Sequence, residues 1–387
     1  MTVKRRHPFT CVRKGIVVRR STARVMLLAL IMAGTSPRAE VVTEATIGSG
    51  YQSNLFNDSS AAADLSTSAG LNLKYFPSAS TRLTAGAQYN AFTEYSDLSN
   101  LTGDLSLTVI PTAESSRLSL ALAGAVAVRQ FGSRYELYDR IGATAGADLT
   151  FRLLPSIHLL TAASYLSNSY TNSDIGSYRS YDLAGGANLR FAGSNTLALR
   201  AEFDHRIYEQ PSPATFGPGN RFTESGDNTQ SFDIMSGLIR FSRPLGSRTG
   251  LNLSASHRRL DLPADYTFYG YTIDYLSPWS DLWEGSSFSA GLKHFFPNQI
   301  TTEFAIAYAD KDFVDVVEQA DDGTEYLQNA RNDRQTSLSL AVTRPLVLKS
   351  GQLLTPSLVI GYRDNNSTEP YFDHEAVSAS LSLKIQL

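Results

Sequence analysis

The sequence predicts an all-β chain, a transmembrane antiparallel up-and-down β-barrel of about sixteen strands. Three observations predict it. Segments of about ten residues alternate apolar and polar side chains at period 2, the spacing of a strand with one greasy and one wet face. The connections between them alternate short and long, and aromatic residues collect at both ends of the segments.

The totals agree with such a chain. Its 387 residues are 42% hydrophobic with a mean hydropathy of -0.17, and no run approaches the ~18 apolar residues of a membrane helix. The net charge of -3, from 34 Lys and Arg against 37 Asp and Glu, gives no basic surplus for nucleic acid. Residues 1–39 differ from the rest. Lys4, Arg5, Arg6, Arg13, Lys14, Arg19, Arg20 and Arg24 precede an apolar run from Val25 to Gly34, with Ala39 as the expected cleavage point. That order is a secretory signal peptide, and residues 40–387 are then one barrel domain. Cys11 is the only cysteine and lies in the signal, so the expected mature chain has no disulfide and no thiol-ligated metal.

From Val42 the strand unit repeats. In Asp64 to Tyr75, Leu65, Thr67, Ala69, Leu71, Leu73 and Tyr75 share one face, and Pro77 follows. Proline suits a strand end because it cannot donate to the ladder. Leu83 to Ala91, Leu101 to Val109, Leu118 to Val128 and Ile141 to Leu153 repeat the pattern. Segments at Ile157, Tyr178, Thr196, Ser231, Gly250, Ser287, Thr302, Thr336 and Leu353 continue it, and Val377, Ala379, Leu381, Leu383, Ile385 and Leu387 close the chain on one face. Three segments are blurred. In the clearest case Phe232, Ile234 and Leu238 compete with Met235, Ile239 and Phe241 for the apolar face.

The tight connections fall near Pro77, Pro111, Pro155, Gly193, Pro244, Pro297 and Pro345; the long ones are polar and include 209–230, 261–286 and 314–335. Tyr266 to Tyr275 looks like a strand, but counting it as spanning would put Pro297 at the wrong end, so it belongs to a long loop. Asp322-Gly323 has the composition of a two-residue hairpin turn. Short turns at one end and long loops at the other describe an outer-membrane barrel, with periplasmic turns and extracellular loops. The aromatic residues divide accordingly. Tyr75, Phe76, Phe151, Phe191, Phe241, Phe295 and Phe296 stand near short turns, and Tyr51, Tyr89, Tyr95, Tyr165, Tyr178, Tyr181, Phe304 and Tyr362 are read as the girdle near the long loops.

Two stretches carry a resemblance. The ending Leu381, Leu383, Ile385, Leu387 resembles the assembly signal of outer-membrane barrels, with Leu387 in place of the usual phenylalanine. Residues 50–57, GYQSNLFN, and 362–367, YRDNNS, followed by Tyr371-Phe372 and the final strand, are similar to the first and last hairpins of outer-membrane β-barrel porin families. Some members of those families serve exopolysaccharide export. The resemblance covers the two ends of the chain and implies the fold, a cell outer-membrane location and the barrel-assembly machinery as a partner. Outer-membrane lipid and lipopolysaccharide are the other expected partners, with polysaccharide a further candidate and the oligomeric state open.

The polar face should line the lumen. It carries Arg82, Arg117, Arg129, Arg140, Asp148, Arg152, Asp182, Arg190, Arg200, Glu202, Asp204, Arg206, Arg258, Lys293 and Glu303. Fixed charge at close range sets pore selectivity, and the cationic excess predicts a mild anion preference. The same charges can pair as struts, Arg200, Glu202, Asp204 and Arg206 above all. No catalytic residue, metal ligand or cofactor is expected. Asp204-His205 is the nearest thing to a catalytic pair, but His205 has the lipid-facing register and no nucleophile motif. The acidic residues Asp312, Asp315, Glu318, Asp321, Asp322, Glu325 and Asp333 have no dedicated calcium spacing and read as a solvated loop. The function expected is a pore for polar solutes or polysaccharide export. The alternative is a surface-display or surface-protein translocation barrel acting through its acidic loops.

Replacing both Ile385 and Leu387 with aspartate should block assembly, read as loss of the heat-modifiable barrel band from outer-membrane fractions.

Overall fold

The computed structural model describes residues 40–387 apart from 113–115, 173–175, 210–214, 217–221, 224–228, 263–267, 270–280, 314–315, 320–324 and 328–330. The expected signal segment lies outside the described residues. One antiparallel sheet of seventeen strands closes on itself, and the two-residue strand Leu346–Val347 is only a small hairpin inside a short turn. The other sixteen span: β1 (Glu40–Gln52), β2 (Asp64–Ser78), β3 (Thr81–Phe92), β4 (Asn100–Val109), β5 (Leu118–Phe131), β6 (Arg140–Leu154), β7 (Ile157–Tyr170) and β8 (Ser177–Phe191) form one half. The other half is β9 (Asn195–Glu209), β10 (Thr229–Pro244), β11 (Thr249–Asp261), β12 (Trp283–Phe295), β13 (Thr301–Phe313), β14 (Asn332–Thr343), β15 (Leu353–Ser367) and β16 (His374–Gln386).

Each strand pairs with its sequence neighbours, and β16 returns to β1. Glu44 to Gln52 pair with Gln386 to Ser378, and the Leu387 N–H donates to the Thr43 carbonyl at 2.8 Å. This closure removes both sheet edges, the condition a sheet must meet in hydrocarbon.

The register fixes the faces. Outside stand Ile47, Leu71, Tyr89, Val126, Ile141, Leu183, Ile239, Phe288 and Leu381, all exposed, with Leu183 at 57% and Leu381 at 61%. A continuous exposed apolar band around a closed sheet matches the lipid-facing surface of a membrane barrel. The blurred strand β10 resolves the same way. Met235, Ile239 and Phe241 face out, because they pair with the outward Phe203, Leu199 and Leu197 of β9; Phe232 and Ile234 face in and are buried.

No spanning strand runs between β11 and β12, which pair directly. Within the loop between them Phe268–Tyr269 pairs parallel with Val316 and Val317, and most of the strand-like stretch 266–275 lies outside the described residues. Val317 to Gln319 pairs antiparallel with Glu325 to Leu327, the two arms expected around Asp322-Gly323, which itself lies outside the described residues.

The girdle assignments need correction at several positions. Phe304 belongs to the turn end, since β13 begins at Thr301 right after a short turn. Tyr178 points inward, because it pairs with Asn168 and Tyr208 on the polar parity. Tyr75 is buried, and Tyr95 packs edge-on to Phe56 in a loop cluster. Aromatic content alone could not separate a lipid anchor from a loop or lumen core.

Leu183 sits mid-strand on the lipid face, so Leu183→Arg should lower folding stability in lipid vesicles by about 2–4 kcal/mol. Urea titration followed by tryptophan fluorescence reads it.

Candidate functional site

All of the sequence-assigned lumen residues fall on the inward parity. Pairing shows it directly: Arg82 lies opposite Thr108, Arg129 opposite Arg140, Asp148 opposite Ala121 and Ala162, and Lys293 opposite Glu303, each pair on the face away from the apolar band. They separate into two tiers by height.

At the turn end Lys74 donates to Glu44 at 3.0 Å and Lys384 lies 3.7 Å from the same carboxylate, across the closing seam. Lys293 pairs with Glu303 on the neighbouring strand. Between these two struts the wall is different. Arg82, Arg117, Arg152, Arg190 and Arg240 are all exposed and take part in no ion pair among the described residues. Arg117 and Arg152 stand at one level, since the Arg152 N–H donates to the Arg117 carbonyl at 2.7 Å. The arc they form runs from β3 to β10. Glu44, Lys74, Lys384 and Arg240 were not picked out in the sequence. Their period-2 parity was available as a signal for each.

The loop-end tier is mostly paired. Arg206 is held by Asp204 and by Asp281, each at 2.6 Å, with the Arg206 and Asp204 side chains only 13% and 15% exposed. Arg206 also lies over the Tyr178 ring at 5.3 Å. Arg200 and Glu202, two apart on β9, pair at 2.5 Å in the open lumen. Above them Tyr208, Phe232, Ile234, Leu260 and Leu282 form an apolar cluster inside the barrel, with Tyr178 and Leu262 against it. Apolar inward residues at that height narrow the lumen from one side.

A second apolar cluster is built largely from the loops. Leu55, Leu98, Tyr138 and Tyr170 form it with Phe56, Phe92, Tyr95, Phe131 and Tyr135. The first loop is tied to the last. The Tyr371 hydroxyl donates to Asp58 at 2.8 Å, Arg363 donates to Asn57 at 3.0 Å, and Ser59 N–H donates to the Tyr371 carbonyl at 2.7 Å. Burial and that acceptor push the Tyr371 phenol up to about 12, so the contact is intact across neutral pH. Asp333, read from the sequence as part of an acidic loop, is instead buried at the inward start of β14, paired with Arg331 and accepting from Asn365 at 3.0 Å.

The Asp204-His205 pair is split by the pleat, which sends adjacent residues to opposite faces. Asp204 faces the lumen with Arg206; His205 faces out and pairs through Nδ1 with Asp233 at 2.7 Å. Among the described residues no group of His, Cys, Asp and Glu is arranged to hold a metal ion.

A closed sheet of sixteen spanning strands, an apolar outer band and a charged inner face decide the class. The chain is an outer-membrane β-barrel of porin-like architecture. No family model matches the sequence, and no curated protein does. Among solved structures, OccAB1 of Acinetobacter baumannii is similar to the barrel over 92% of this chain and 97% of its own, at 9% identity and a TM-score of 0.48. OccK3 (OpdO) of Pseudomonas aeruginosa aligns over 91% and 96%, at 10% identity and a TM-score of 0.45. The siderophore receptor PirA of Pseudomonas aeruginosa aligns over 90% and 81%, at 11% identity and 0.45.

The two arginine pairs on β9 should differ in weight. Arg206→Met strands two carboxylates beside an apolar cluster and should cost about 3 kcal/mol, whereas Arg200→Met, in the open lumen, should cost less than about 1 kcal/mol. Parallel urea unfolding of the two variants checks the difference.

Proposed function

We propose that the barrel is a pore for small polar solutes with a preference for anions. The observation that carries this reading is the arc Arg82, Arg117, Arg152, Arg190 and Arg240, exposed on the inward face and free of ion pairs among the described residues. Charges paired as struts cancel beyond a few ångströms. Unpaired guanidiniums lining the turn-side part of a water-filled barrel add their potentials where they lie within a Debye length of about 8 Å, and they raise the local anion concentration. Barrels of sixteen strands are wide enough to leave an aqueous channel. Polysaccharide moving outward is the alternative cargo of the same lumen; unaltered surface polysaccharide in cells lacking the chain would exclude it.

In planar bilayers under a potassium chloride gradient the wild-type barrel should give steady conductance with a reversal potential on the anion-selective side. Replacing Arg117, Arg152 and Arg190 together with glutamate should invert its sign. A barrel that inserts and stays sealed would sink the pore reading.

A further inference from the structure

On the turn-end wall from β5 to β8 the basic residues are not evenly spread. Arg117, Arg152 and His158 face the lumen side by side on three consecutive strands. The Arg152 N–H donates to the Arg117 carbonyl at 2.7 Å, and Arg152 stands directly opposite His158 in the register. Asn188 continues the row on β8, opposite His158. Arg190 lies two residues farther along the same face of β8, and its N–H donates to the Ser156 carbonyl, just before β7, at 2.8 Å. With about 4.8 Å between strands, Arg117, Arg152 and His158 spring from within about 10 Å of one another.

Among the described residues nothing on this wall answers the charge. Arg117, Arg152 and Arg190 are exposed and take part in no ion pair, and the His158 ring and the Asn188 amide have no hydrogen-bond partner there. The first inward carboxylate along these strands is Asp148, four residues up β6 from Arg152 and about 13 Å away at the rise of a strand. Elsewhere at the turn end the lysines are matched: Lys74 and Lys384 share Glu44, and Lys293 holds Glu303. Arg240 is unmatched but isolated, with Ala198 and Ser254 as its neighbours across the strands. Like charges on directly opposed strand positions are destabilising, and an anion between them removes that cost.

We propose that this cluster is a subsite for the phosphate monoester group of a solute crossing the turn-side mouth. The charge pattern selects the class. A chloride or a single carboxylate neutralises one guanidinium and leaves its neighbour unmet. A phosphate monoester carries two charges on three terminal oxygens, so it accepts from arginines on two strands at once and is drawn to each about twice as strongly. The planar fork of the guanidinium matches those oxygens. The His158 imidazole and the Asn188 amide extend the same row with further N–H donors.

The subsite rests on the pore reading and deepens it by naming a solute class, so binding is measured apart from conduction. Methyl phosphate and dimethyl phosphate are titrated against the full-length barrel in phosphate-free detergent and followed by phosphorus NMR line broadening. At about pH 8, above the second phosphate pKa of about 6, the first is a dianion and the second a monoanion. Saturable methyl phosphate binding, at least fivefold tighter than that of dimethyl phosphate, is the expected result. Arg117→Gln and Arg152→Gln should each weaken it at least threefold in protein that still shows heat-modifiable migration. Lys293→Gln, on another part of the wall and already paired with Glu303, should leave it unchanged. The proposal is overturned if dimethyl phosphate binds as tightly as methyl phosphate, if neither binds, if the two arginine variants bind as wild type, or if Lys293→Gln weakens binding as much as they do. Absence of conductance in bilayers overturns the pore reading alone and leaves the NMR result standing.

Discussion

Every backbone N–H and C=O in the hydrocarbon zone must find a partner within the sheet, and this requirement organises the molecule. It is met only when β16 reaches β1, so the first and last strands of the chain form the closing seam. All other pairs of spanning strands join sequence neighbours, and only this one brings together residues more than three hundred positions apart. The side chains at the seam reinforce it on both faces. Glu44 gathers Lys74 and Lys384 inside, Leu381 and Leu383 meet lipid outside, and the loops above lock through Asp58 and Tyr371. Closure then sets what each face can be, because pleating alternates them without exception along a closed sheet.

On the lipid face the requirement extends to side chains. Three histidines there are joined to the adjacent strand: His205 to Asp233 at 2.7 Å, His257 to Ser286 at 2.9 Å and His294 to Thr249 at 2.8 Å. Each imidazole thus meets a partner without leaving the sheet surface. The outer band alternates with a polar inward face and joins polar loops, which keeps the mean hydropathy of a membrane protein at only -0.17. Hydropathy summed over a window is a poor detector of such a protein for this reason; alternation is the better one.

The fold was legible because parity is a local property. Strand count, the closing pair and the inward placement of residues such as Arg82, Asp148 and Lys293 all follow from period 2 and the order of short and long connections. What parity could not give was height and partnership. Phe232 and Ile234 blurred β10 because an inward apolar cluster competes with the outward band, and that cluster includes Leu260 and Leu282 from farther along the chain. Likewise Arg206 finds Asp281 across a separation of 75 residues, in a loop where sequence has no period to read. Phe304 was misplaced along the axis for a related reason: an aromatic residue marks an interface, but not which one.

Pairing also explains why the two tiers of the lumen differ. Near the loops, apolar clusters lower the local dielectric and make an unpartnered charge expensive, so Arg206 and Asp333 are bound on more than one side. Arg258 departs from that rule, with shielded donors that meet no acceptor among the described residues. At the turn end the lumen is open to water, exposed arginines cost little, and Arg82, Arg117, Arg152, Arg190 and Arg240 need no partner to be stable. The screening length of about 8 Å is shorter than the span of the barrel, so the two tiers are electrostatically separate.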